Sequence, residues 1–322
     1  MPRASIIVPA FNTLATLPET VANLLSQTYS DYEVIVVDDG SSDGTSEWVL
    51  AQHDPRLRLV RQVNRGLAGA RNGGIAAARG DYIGFCDGDD LWEPEKLARH
   101  VAHLDANPEI GLSFSGSTLI GATGQELGIA QRPKLDWITP RDVLLRNPVG
   151  NGSAPVIRRA CLDDIAFRPA GETRDWWFDE SFRQSEDIEC WLRIVLTTRW
   201  QLAGIDALLT RYRIVASGLS ANLERQLDTW ERVADRVRDI APDIARAHIP
   251  AARAYQLRYL ARRAVTLGDG RRALSLMLRG LRSSIRPVLE EPLKTGVTLS
   301  AAAVLAFGGR TLVLRAVGGR QA

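Results

Sequence analysis

The chain begins with apolar runs that alternate with segments of helical periodicity. Ser5–Pro9 is typical of a buried strand, and apolar residues then recur at helical spacing over Leu17–Leu25. The same alternation predicts strands over Glu33–Val37, Leu57–Val60 and Tyr82–Cys86, each separated from the next by a helix. Strands that alternate with helices predict an α/β fold with a mostly parallel, doubly wound sheet. Ligands of such sheets bind at the carboxyl ends of the strands.

After the fourth predicted strand the pattern is less regular. Leu112–Ser115 is typical of a further strand, and the Gly-rich segment Gly116–Gly128 predicts a loop or a hairpin. Ala154–Ile157 predicts a strand at the edge of the sheet, because Pro155 cannot donate a backbone hydrogen bond. Glu186 opens a predicted amphipathic helix.

From about Gly218 the pattern becomes almost wholly helical and predicts an all-helical C-terminal extension. Near its end, Thr295–Gly309 is an uncharged run of 15 residues. A helix needs ~20 apolar residues to span a bilayer, so this run is too short. Two interpretations stay open: a helix packed on the domain, or a helix lying in a membrane interface beside its arginines.

The net charge of +2 over 322 residues conceals an asymmetry. From Leu223 to the end there are 18 Lys and Arg against 9 Asp and Glu, a net charge of +9, which leaves −7 for the rest. A basic extension on an acidic body indicates an anionic lipid surface or another acidic partner. We expect no nucleic-acid partner, because the basic residues are not interleaved with base-stacking aromatic residues.

The cysteines and the N-terminus indicate a cytoplasmic protein. Cys86, Cys161 and Cys190 are odd in number and lack C-x-x-C spacing, so they suggest neither a disulfide framework nor a zinc site. A reducing compartment fits this usage. Met1 is followed almost directly by the first strand, and we expect no secretory signal.

The fourth strand, Tyr82–Cys86, ends in a cluster of carboxylates, Asp87, Asp89 and Asp90. Like charges this close repel one another, so a bound cation is their natural neutraliser. Oxygen ligands favour Mg²⁺ or Mn²⁺ over zinc. The alternative is a polar turn with one capping aspartate before the helix that Pro94 opens.

Five segments together resemble glycosyltransferase family 2, the inverting nucleotide-sugar enzymes with the GT-A fold. They occur in order and at suitable spacing: Ser5–Asn12, Val36–Ser41, Gly69–Asn72, Phe85–Asp90 and Ser185–Asp187. The resemblance runs from about Ala4 to Ser220. It implies a GT-A catalytic domain over 1–220, with a nucleotide-sugar part over about 1–115 and an acceptor part over about 116–220. A basic helical extension over 221–322 follows.

The resemblance also implies roles at the donor side of the site. Pro9, Phe11 and Asp39 would line the nucleoside pocket, where Asp39 would accept a hydrogen bond from the base. Asp38 would support the same turn, and Arg71 would reach the base or the diphosphate. Without the resemblance, the two aspartates could form only an Asx-turn, and Arg71 only a surface ion pair.

The D-x-D motif would bind the ribose and the metal-bridged diphosphate. Asp87 and Gly88 would contact the nucleotide sugar, and Asp87 and Asp89 would hold Mn²⁺ or Mg²⁺. Asp90 is a further possible ligand or, alternatively, a helix-entry residue.

On the acceptor side, Asp187 would be the general base that deprotonates the attacking hydroxyl. The alternative for Asp187 is an acidic residue that only stabilises the start of its helix. Trp176, Trp177 and Glu186 are candidate acceptor contacts. For the two tryptophans, core packing and sugar stacking are equally compatible with an amphipathic aromatic side chain.

Two departures from the family pattern narrow the expected activity. Processive members carry Q-x-x-R-W, whereas Leu196 holds the glutamine position before Arg199-Trp200. Many members have a histidine two residues after a Tyr-Arg pair, whereas Val215 holds that place after Arg213. We therefore expect transfer of one sugar, and the resemblance does not extend to a contact of that loop with metal or phosphate.

The resemblance thus implies a metal-dependent inverting enzyme that moves a sugar from a nucleoside diphosphate, UDP above all. The acceptor would be a glycan or lipid-linked molecule of surface polysaccharide synthesis, and the enzyme would lie at the inner face of the membrane. The alternative is a catalytically silent nucleotide-sugar-binding scaffold of the same fold. A nicotinamide dehydrogenase is disfavoured because the first turn, Ala10–Thr13, lacks G-x-G-x-x-G, and no P-loop motif supports an NTPase.

Overall fold

A computed structural model of the chain describes residues 1–214 and 223–307. The chain divides into two compact units, Met1–Thr139 with Pro148–Ala216, and Pro140–Asn147 with Ser217–Ala322. The segment Pro140–Asn147 thus groups with the C-terminal helices, which the sequence pattern does not indicate. The expected domain boundary at residue 220 lies outside the described residues and stays a prediction.

The first unit is an α/β arrangement that follows the predicted alternation of strands and helices. Its elements, with the intervening α5 of the second unit, are β1 (Ala4–Ala10), α1 (Leu17–Leu25), β2 (Tyr32–Asp38), α2 (Thr45–Leu50), β3 (Leu57–Arg61), α3 (Gly66–Ala77), β4 (Tyr82–Phe85), β5 (Leu91–Trp92), α4 (Lys96–Ala106), β6 (Ile110–Ile120), β7 (Glu126–Gln131), α5 (Pro140–Arg146), β8 (Val156–Arg158), α6 (Arg159–Ile165), α7 (Glu186–Thr197) and β9 (Gln201–Arg213).

The described strands form one nine-stranded sheet in the order β3-β2-β1-β4-β8-β6-β9-β5, with β7 paired to β6. The first four strands of this order are parallel. β8 is antiparallel to both β4 and β6, and β6 pairs in parallel with β9. The predicted fold class is confirmed, and the sheet is parallel where the chain alternates strand and helix and mixed beyond β4.

Burial on both faces explains the apolar runs of the parallel strands. All residues from Val34 to Val37 in β2 are fully buried, as expected for a central strand covered by helices on both sides. The periodic residues of α1, Leu17, Val21 and Leu24, lie in the same hydrophobic cluster as Leu97 of α4. The helices predicted from these spacings are confirmed.

Two expectations about the middle of the chain need correction or extension. β8 is central rather than an edge strand, since it lies between β4 and β6. Pro155 immediately precedes its first residue, Val156, so the missing N–H is not needed by the ladder. The Gly-rich segment forms a hairpin between β6 and β7.

β9 was not predicted, because its polar and apolar residues show no clear period over Gln201–Arg213.

The second unit is helical, as predicted for the extension. Besides α5 it contains α8 (Leu223–Ile240), α9 (Pro242–Thr266), α10 (Gly270–Ser283), α11 (Arg286–Glu290) and α12 (Pro292–Ala306). Its core joins apolar residues of α8, α9, α10 and α12, among them Leu227, Leu257, Leu260, Met277 and Leu305. Within the described part of the chain, no helix is both long and apolar enough to cross a membrane.

Candidate active site

The candidate site lies where three parallel strands of the first unit end. Ala10 of β1 pairs with Asp38 of β2, and Ile7 of β1 pairs with Phe85 of β4, so the loops after these strands lie side by side. The segments that follow β2 and β4 carry the two acidic clusters noted in the sequence. The topology therefore brings both clusters to one edge of the sheet.

Asp38 supports the turn after β2. Its Oδ1 accepts a hydrogen bond of 2.8 Å from the backbone N of Ser41, and its Oδ2 accepts one from Ser46 Oγ. Burial opposes ionisation of Asp38, but these hydrogen bonds outweigh it and lower the pKa of the carboxyl. Gly40 follows with φ +83°, a conformation that a side chain would strain. The expected supporting position of Asp38 thus agrees with its contacts.

Asp39 faces the start of α3. Its Oδ1 accepts from the backbone N of Arg65 at 2.8 Å and from Gln62 Nε2 at 2.7 Å, and its Oδ2 accepts from the N of Gly66 at 2.8 Å. A carboxylate at a helix N-terminus is stabilised by the free N–H groups and by the helix dipole. Both oxygens of Asp39 therefore already hold protein donors, and a contact with the base would be added to these.

The loop of the D-x-D motif crosses the end of β1. A Cβ atom on Gly88 would lie 3.3 Å from the carbonyl oxygen of Pro9 and 3.2 Å from Thr13 Oγ1. Pro9 is buried in β1, whereas Phe11 just beyond it is 51 % exposed. The structure thus brings Gly88 next to Pro9, and the sequence assigns both to the nucleotide side.

Arg71 is enclosed at the centre of the site, with 2 % of its side chain exposed. Its Nη1 donates to Glu186 Oε1 at 2.6 Å, and its Nη2 donates to Asp87 Oδ1 at 3.0 Å. The guanidinium lies 5.4 Å from the ring centre of Phe178. A Cβ atom on Gly152 would stand 2.1 Å from Arg71 Nη2, so only glycine leaves room for the guanidinium.

Electrostatics keep Arg71 charged despite this burial. Desolvation lowers the pKa of a buried cation, but the carboxylates of Asp87, Glu186 and Asp187 outweigh it, so the pKa of Arg71 is raised above its usual value. The sequence predicted a contact of Arg71 with the base or the diphosphate. In the structure Arg71 joins two carboxylates from distant parts of the chain.

Glu186 and Asp187 stand in the first turn of α7. Ser185 before them has φ 58°, a left-handed conformation that is uncommon for a residue other than glycine. Burial raises the pKa of Glu186 to about 7, although Arg71 opposes the shift and Asp187 adds to it. Burial also raises the pKa of Asp187, against the effects of Arg71 and of the hydrogen bond from the N of Ile188.

Of the three aspartates expected to bind metal, Asp90 is the one turned into the protein. It is fully buried, its Oδ2 accepts from Ser153 Oγ at 2.6 Å, and its Oδ1 accepts from the backbone N of Arg213 at 2.8 Å. Asp87 and Asp89 are both partly exposed. Burial and the neighbouring Asp87 raise the pKa of Asp89 to about 6.

The positions of these carboxylates indicate whether a divalent cation fits the candidate site. Among residues 1–214 and 223–307, no three His, Cys, Asp or Glu side chains are grouped so as to hold a metal ion by themselves. Asp87 and Asp89 offer oxygen atoms of the kind that Mg²⁺ and Mn²⁺ prefer, and their mutual repulsion would be relieved by a cation. They fit a site whose remaining ligands come from a substrate diphosphate.

A buried network behind the D-x-D motif was not found by sequence reasoning. Lys96 Nζ donates to the carbonyl oxygen of Ser153 and to Thr210 Oγ1, both at 2.6 Å. Burial lowers the pKa of Lys96 to about 7. Arg213 Nε donates to the carbonyl oxygen of Asp89 at 2.6 Å and fixes the same loop from β9. A polar Gly-containing stretch before β8, Asn151–Ser153, was the available signal.

The acceptor candidates differ in position. Trp177 is buried, and its backbone N donates to Asn72 Oδ1 at 3.0 Å, which is the core packing that the sequence left open. Trp176 is partly exposed, with the guanidinium of Arg65 5.9 Å from its ring centre. Glu186 is buried against Arg71, as described above.

Comparison with known proteins gives the family. The family model described as Glycosyl transferase family 2 matches residues 5–123. A glucosyltransferase of Escherichia coli, UDP-Glc:alpha-D-GlcNAc-diphosphoundecaprenol beta-1,3-glucosyltransferase WfgD, is 29% identical over 255 residues, which are 79% of this chain and 90% of that protein. Residues 5–123 form a glycosyltransferase family 2 domain. The expected transferase activity is confirmed at this level.

A further relative of this glycosyltransferase matches over a shorter length. The succinoglycan biosynthesis protein ExoO of Rhizobium meliloti is 34% identical over 197 residues, which are 58% of this chain and 54% of that protein. ExoO is named for the biosynthesis of succinoglycan, and WfgD is named for transfer of glucose to a diphosphoundecaprenol-linked sugar.

Solved structures confirm the GT-A fold. S. aureus TarS 1-349 in complex with UDP-GlcNAc matches with a TM-score of 0.62 and 18% identity, over 97% of this chain and 92% of that one. The mannosyltransferase PcManGT of Pyrobaculum calidifontis, in complex with GDP-Man and Mn2+, matches with a TM-score of 0.57 and 22% identity, over 96% and 88%. The likeness extends over the C-terminal helices as well as the sheet.

Proposed function

We propose that this glycosyltransferase moves a single sugar, with inversion, from a nucleoside diphosphate to a glycan or lipid-linked acceptor in surface polysaccharide synthesis. One observation carries the proposal: Arg71 bonds both Asp87 of the D-x-D motif and Glu186, the residue next to Asp187. The carboxylates expected at the leaving group and the carboxylate expected at the acceptor therefore belong to one cluster.

The donor in this proposal is a UDP-sugar. The name of WfgD specifies UDP-Glc, and TarS is in complex with UDP-GlcNAc, whereas PcManGT is in complex with GDP-Man. Pro9, Phe11 and Asp39 would surround the base, with Asp38 holding their turn. Gly88 would contact the nucleotide sugar from a loop that lies against the end of β1, where a Cβ atom would stand 3.3 Å from the carbonyl oxygen of Pro9.

Asp87 and Asp89 would hold Mg²⁺ or Mn²⁺, with the diphosphate completing the ligand set. When bound, the ion supplies Lewis-acid stabilisation of the negative charge on the leaving diphosphate. Asp90 contributes from behind, because its bonds to Ser153 and Arg213 keep the loop in place. Arg71 orients Asp87 through its fixed donor fork.

Asp187 would act as the base. As the acceptor oxygen bonds to the anomeric carbon and the bond to the diphosphate oxygen breaks, the hydroxyl proton passes to the Asp187 carboxylate. The raised pKa of Asp187 makes its carboxylate a stronger base than an exposed aspartate. Attack from the face opposite the leaving group inverts the configuration.

A lipid-linked acceptor would place the enzyme at a membrane surface. Cytoplasmic, peripheral localisation is therefore part of the proposal, as is transfer of one sugar, which rests on Leu196 in place of the processive glutamine. The name of WfgD specifies a diphosphoundecaprenol-linked sugar as its acceptor, which supports a lipid-linked acceptor in this proposal.

The test combines donor binding with turnover. A thermal-shift screen of UDP-, GDP- and dTDP-sugars with Mn²⁺ identifies the donor, since a ligand that binds only the folded state raises its stability. Release of nucleoside diphosphate is then followed with polyprenyl-diphosphate-linked sugars as acceptors. We expect D187N to lose roughly 1,000-fold in release while keeping the donor-induced shift.

Asp243→Asn is the matched control, because Asp243 is an exposed acidic residue in the first turn of α9. It should release nucleoside diphosphate at the wild-type rate. Undiminished release by the Asp187 variant would refute the assignment of the base. A donor shift without any release on acceptor addition would favour the scaffold alternative.

A further inference from the structure

Helix α12 is almost uncharged around its whole circumference, and within residues 1–214 and 223–307 it packs on one side. Its buried residues, Thr295, Thr298, Ala302 and Leu305, face the core of the second unit. Lys294 is its one charged residue. A helix that is apolar all round is normally covered on every side. The opposite side of α12 thus has the composition of a buried surface.

That opposite side is an exposed stripe of large apolar residues. Leu293 is 83% exposed, Val297 69%, Val304 42% and Phe307, which follows the helix, 85%. With Ser300 between them, these positions recur at intervals of three and four and lie on one face of a helix. We name Leu293, Val297, Val304 and Phe307 the apolar stripe.

The neighbouring helix α11 extends the exposed apolar surface. It packs against α12, and Ile285, Val288 and Leu289 in and beside it are 61%, 38% and 69% exposed. Soluble proteins seldom leave so many large apolar side chains together in water, and such patches mark interaction sites.

The charge around this surface is positive. The described residues from α10 to Phe307 contain six Lys and Arg against Glu290 and Glu291, and the sequence beyond adds three arginines and no acidic residue. Glu290 pairs with Arg141 at 3.1 Å, and Glu291 pairs with Arg146 at 3.0 Å and with Lys294 at 2.8 Å. The surface therefore presents net positive charge beside its apolar residues.

We propose that the apolar stripe and the exposed residues of α11 lie in the interfacial layer of an anionic bilayer, with α12 parallel to the membrane plane. The apolar side chains enter the boundary between head groups and acyl chains, while the arginines meet anionic head groups. α12 has 15 residues, fewer than the ~20 that a span requires, so it lies in the interface instead of crossing it.

A bilayer fits this surface better than a second copy of the chain. Two copies would bring like positive charges together, which opposes association, whereas anionic lipid attracts them. The inference deepens the peripheral localisation of the proposed function, but it depends on neither the donor nor the acceptor.

Vesicle flotation of the full-length chain tests the inference. The probes are vesicles of phosphatidylcholine with and without phosphatidylglycerol, free of donor and acceptor. We expect the wild type to float with the anionic vesicles and much less with the neutral ones. The double variant Leu293→Glu with Val297→Glu should reduce the floated fraction roughly tenfold, since it removes apolar contacts and adds repelled charge.

The matched control is Leu50→Glu with Ile129→Glu. These residues are 64% and 52% exposed in the first unit, so the variant carries the same charge change at exposed apolar positions. It should float like the wild type. Circular dichroism and thermal unfolding should show both variants folded, because all four positions are exposed.

Equal flotation of the stripe variant and the wild type would overturn the inference, as would absence of wild-type binding to anionic vesicles. A stripe-dependent dimer in light scattering without vesicles would overturn it in favour of a second copy. The donor-induced thermal shift, measured on the same samples, reports on the proposed function separately.

Discussion

Arg71 Nη1 donates to Glu186 Oε1 at 2.6 Å, a contact between residues 115 positions apart in the chain. The second nitrogen of the same guanidinium bonds Asp87, so one side chain links the loop after β4 to the first turn of α7. Asp87, expected at the leaving group, and the helix turn that carries the expected base Asp187 are thereby held by one side chain.

The first prediction concerns this link. Arg71→Lys keeps the charge but cannot reach both carboxylates with a planar fork, so one of them is left without its partner. Breaking a buried ion pair costs about 3–5 kcal/mol of unfolding free energy. We expect a lower thermal midpoint and a release of nucleoside diphosphate reduced roughly 100-fold.

Arg79→Lys is the control, since Arg79 is exposed just after α3. It should unfold and turn over like the wild type. If the Arg71 variant matched the control in both measurements, the linking role would be wrong.

The second prediction separates Asp89 from Asp90. Asp89→Asn should lower metal-dependent release roughly 100-fold and raise the Mn²⁺ concentration needed for half-maximal rate, because it removes a charged oxygen ligand. Asp90→Asn keeps an acceptor for the Arg213 N–H and should leave the half-maximal Mn²⁺ concentration unchanged.

Titration of release with Mn²⁺ for the two variants is the measurement. A shift of the Mn²⁺ dependence in the Asp90 variant, equal to that in the Asp89 variant, would restore Asp90 as a direct ligand. Identical titrations for the Asp89 variant and the wild type would refute the metal assignment of Asp89.

The third prediction is an acid sensitivity of the first unit. His100 and His103 each place Nδ1 2.8 Å from Ser113 Oγ. Burial, aided by the charge of Lys96, holds the pKa of His100 well below 6.5, and burial lowers the pKa of His103. The unfolded chain therefore binds more protons below its histidine pKa of about 6.5, and folding stability falls as the pH drops below that value.

The slope should reach about 1.4 kcal/mol per pH unit for each histidine that stays neutral in the fold. Chemical unfolding of the wild type and of His100→Asn at about pH 7.5 and about pH 5.5 measures it. The raised pKa values of Asp89 and Glu186 increase folding stability as the pH falls, and they do so in both proteins. The difference between the two proteins therefore isolates the contribution of His100. Equal pH dependence in the two proteins would contradict the prediction.

The fourth prediction concerns the second unit. Glu291 is 11% exposed and contacts Arg258, Arg146 and Lys294. Burial opposes its ionisation, but the hydrogen bonds from Lys294 and Arg258 and the nearby arginines lower its pKa to about 2. Its stabilising contribution is therefore complete above the unfolded pKa of about 4.5 and is lost as the pH falls toward 2.

We expect Glu291→Gln to lower the unfolding free energy by on the order of 2 kcal/mol at neutral pH and by much less near pH 2. Glu224→Gln is the control, because Glu224 is 81% exposed and its pair with Arg272 is a surface ion pair. Urea unfolding at both pH values distinguishes them. A loss in the Glu291 variant that did not shrink in acid would contradict the ion-pair explanation.

Several parts of the fold were predictable because their cause is local. β1, β2 and β4 are covered on both faces, which requires apolar runs such as Val34–Val37 that can be read directly. The acidic clusters follow strands that end at one edge of the sheet, so their proximity followed from the fold class. The helical extension was equally visible in its periodicity.

Other parts depend on contacts between distant residues. Pro155 suggested an edge strand, but β8 is central because the proline falls one residue before the ladder. β9 has no clear period, and its position between β6 and β5 follows from tertiary pairing alone. The local sequence pattern does not specify which neighbouring strand a half-polar strand pairs with.

The sequence by itself determined the family, the α/β sheet and the candidate residues Asp87, Asp89 and Asp187, because these depend on short motifs and on burial period. Only the tertiary structure decided that Arg71 is buried between two carboxylates and that Asp90 faces Ser153 rather than the open site. The periodicity of the sequence gives the face of a helix or strand on which a side chain lies. The partner of that side chain is set by packing between residues that are distant in the chain, so the sequence pattern does not reveal it.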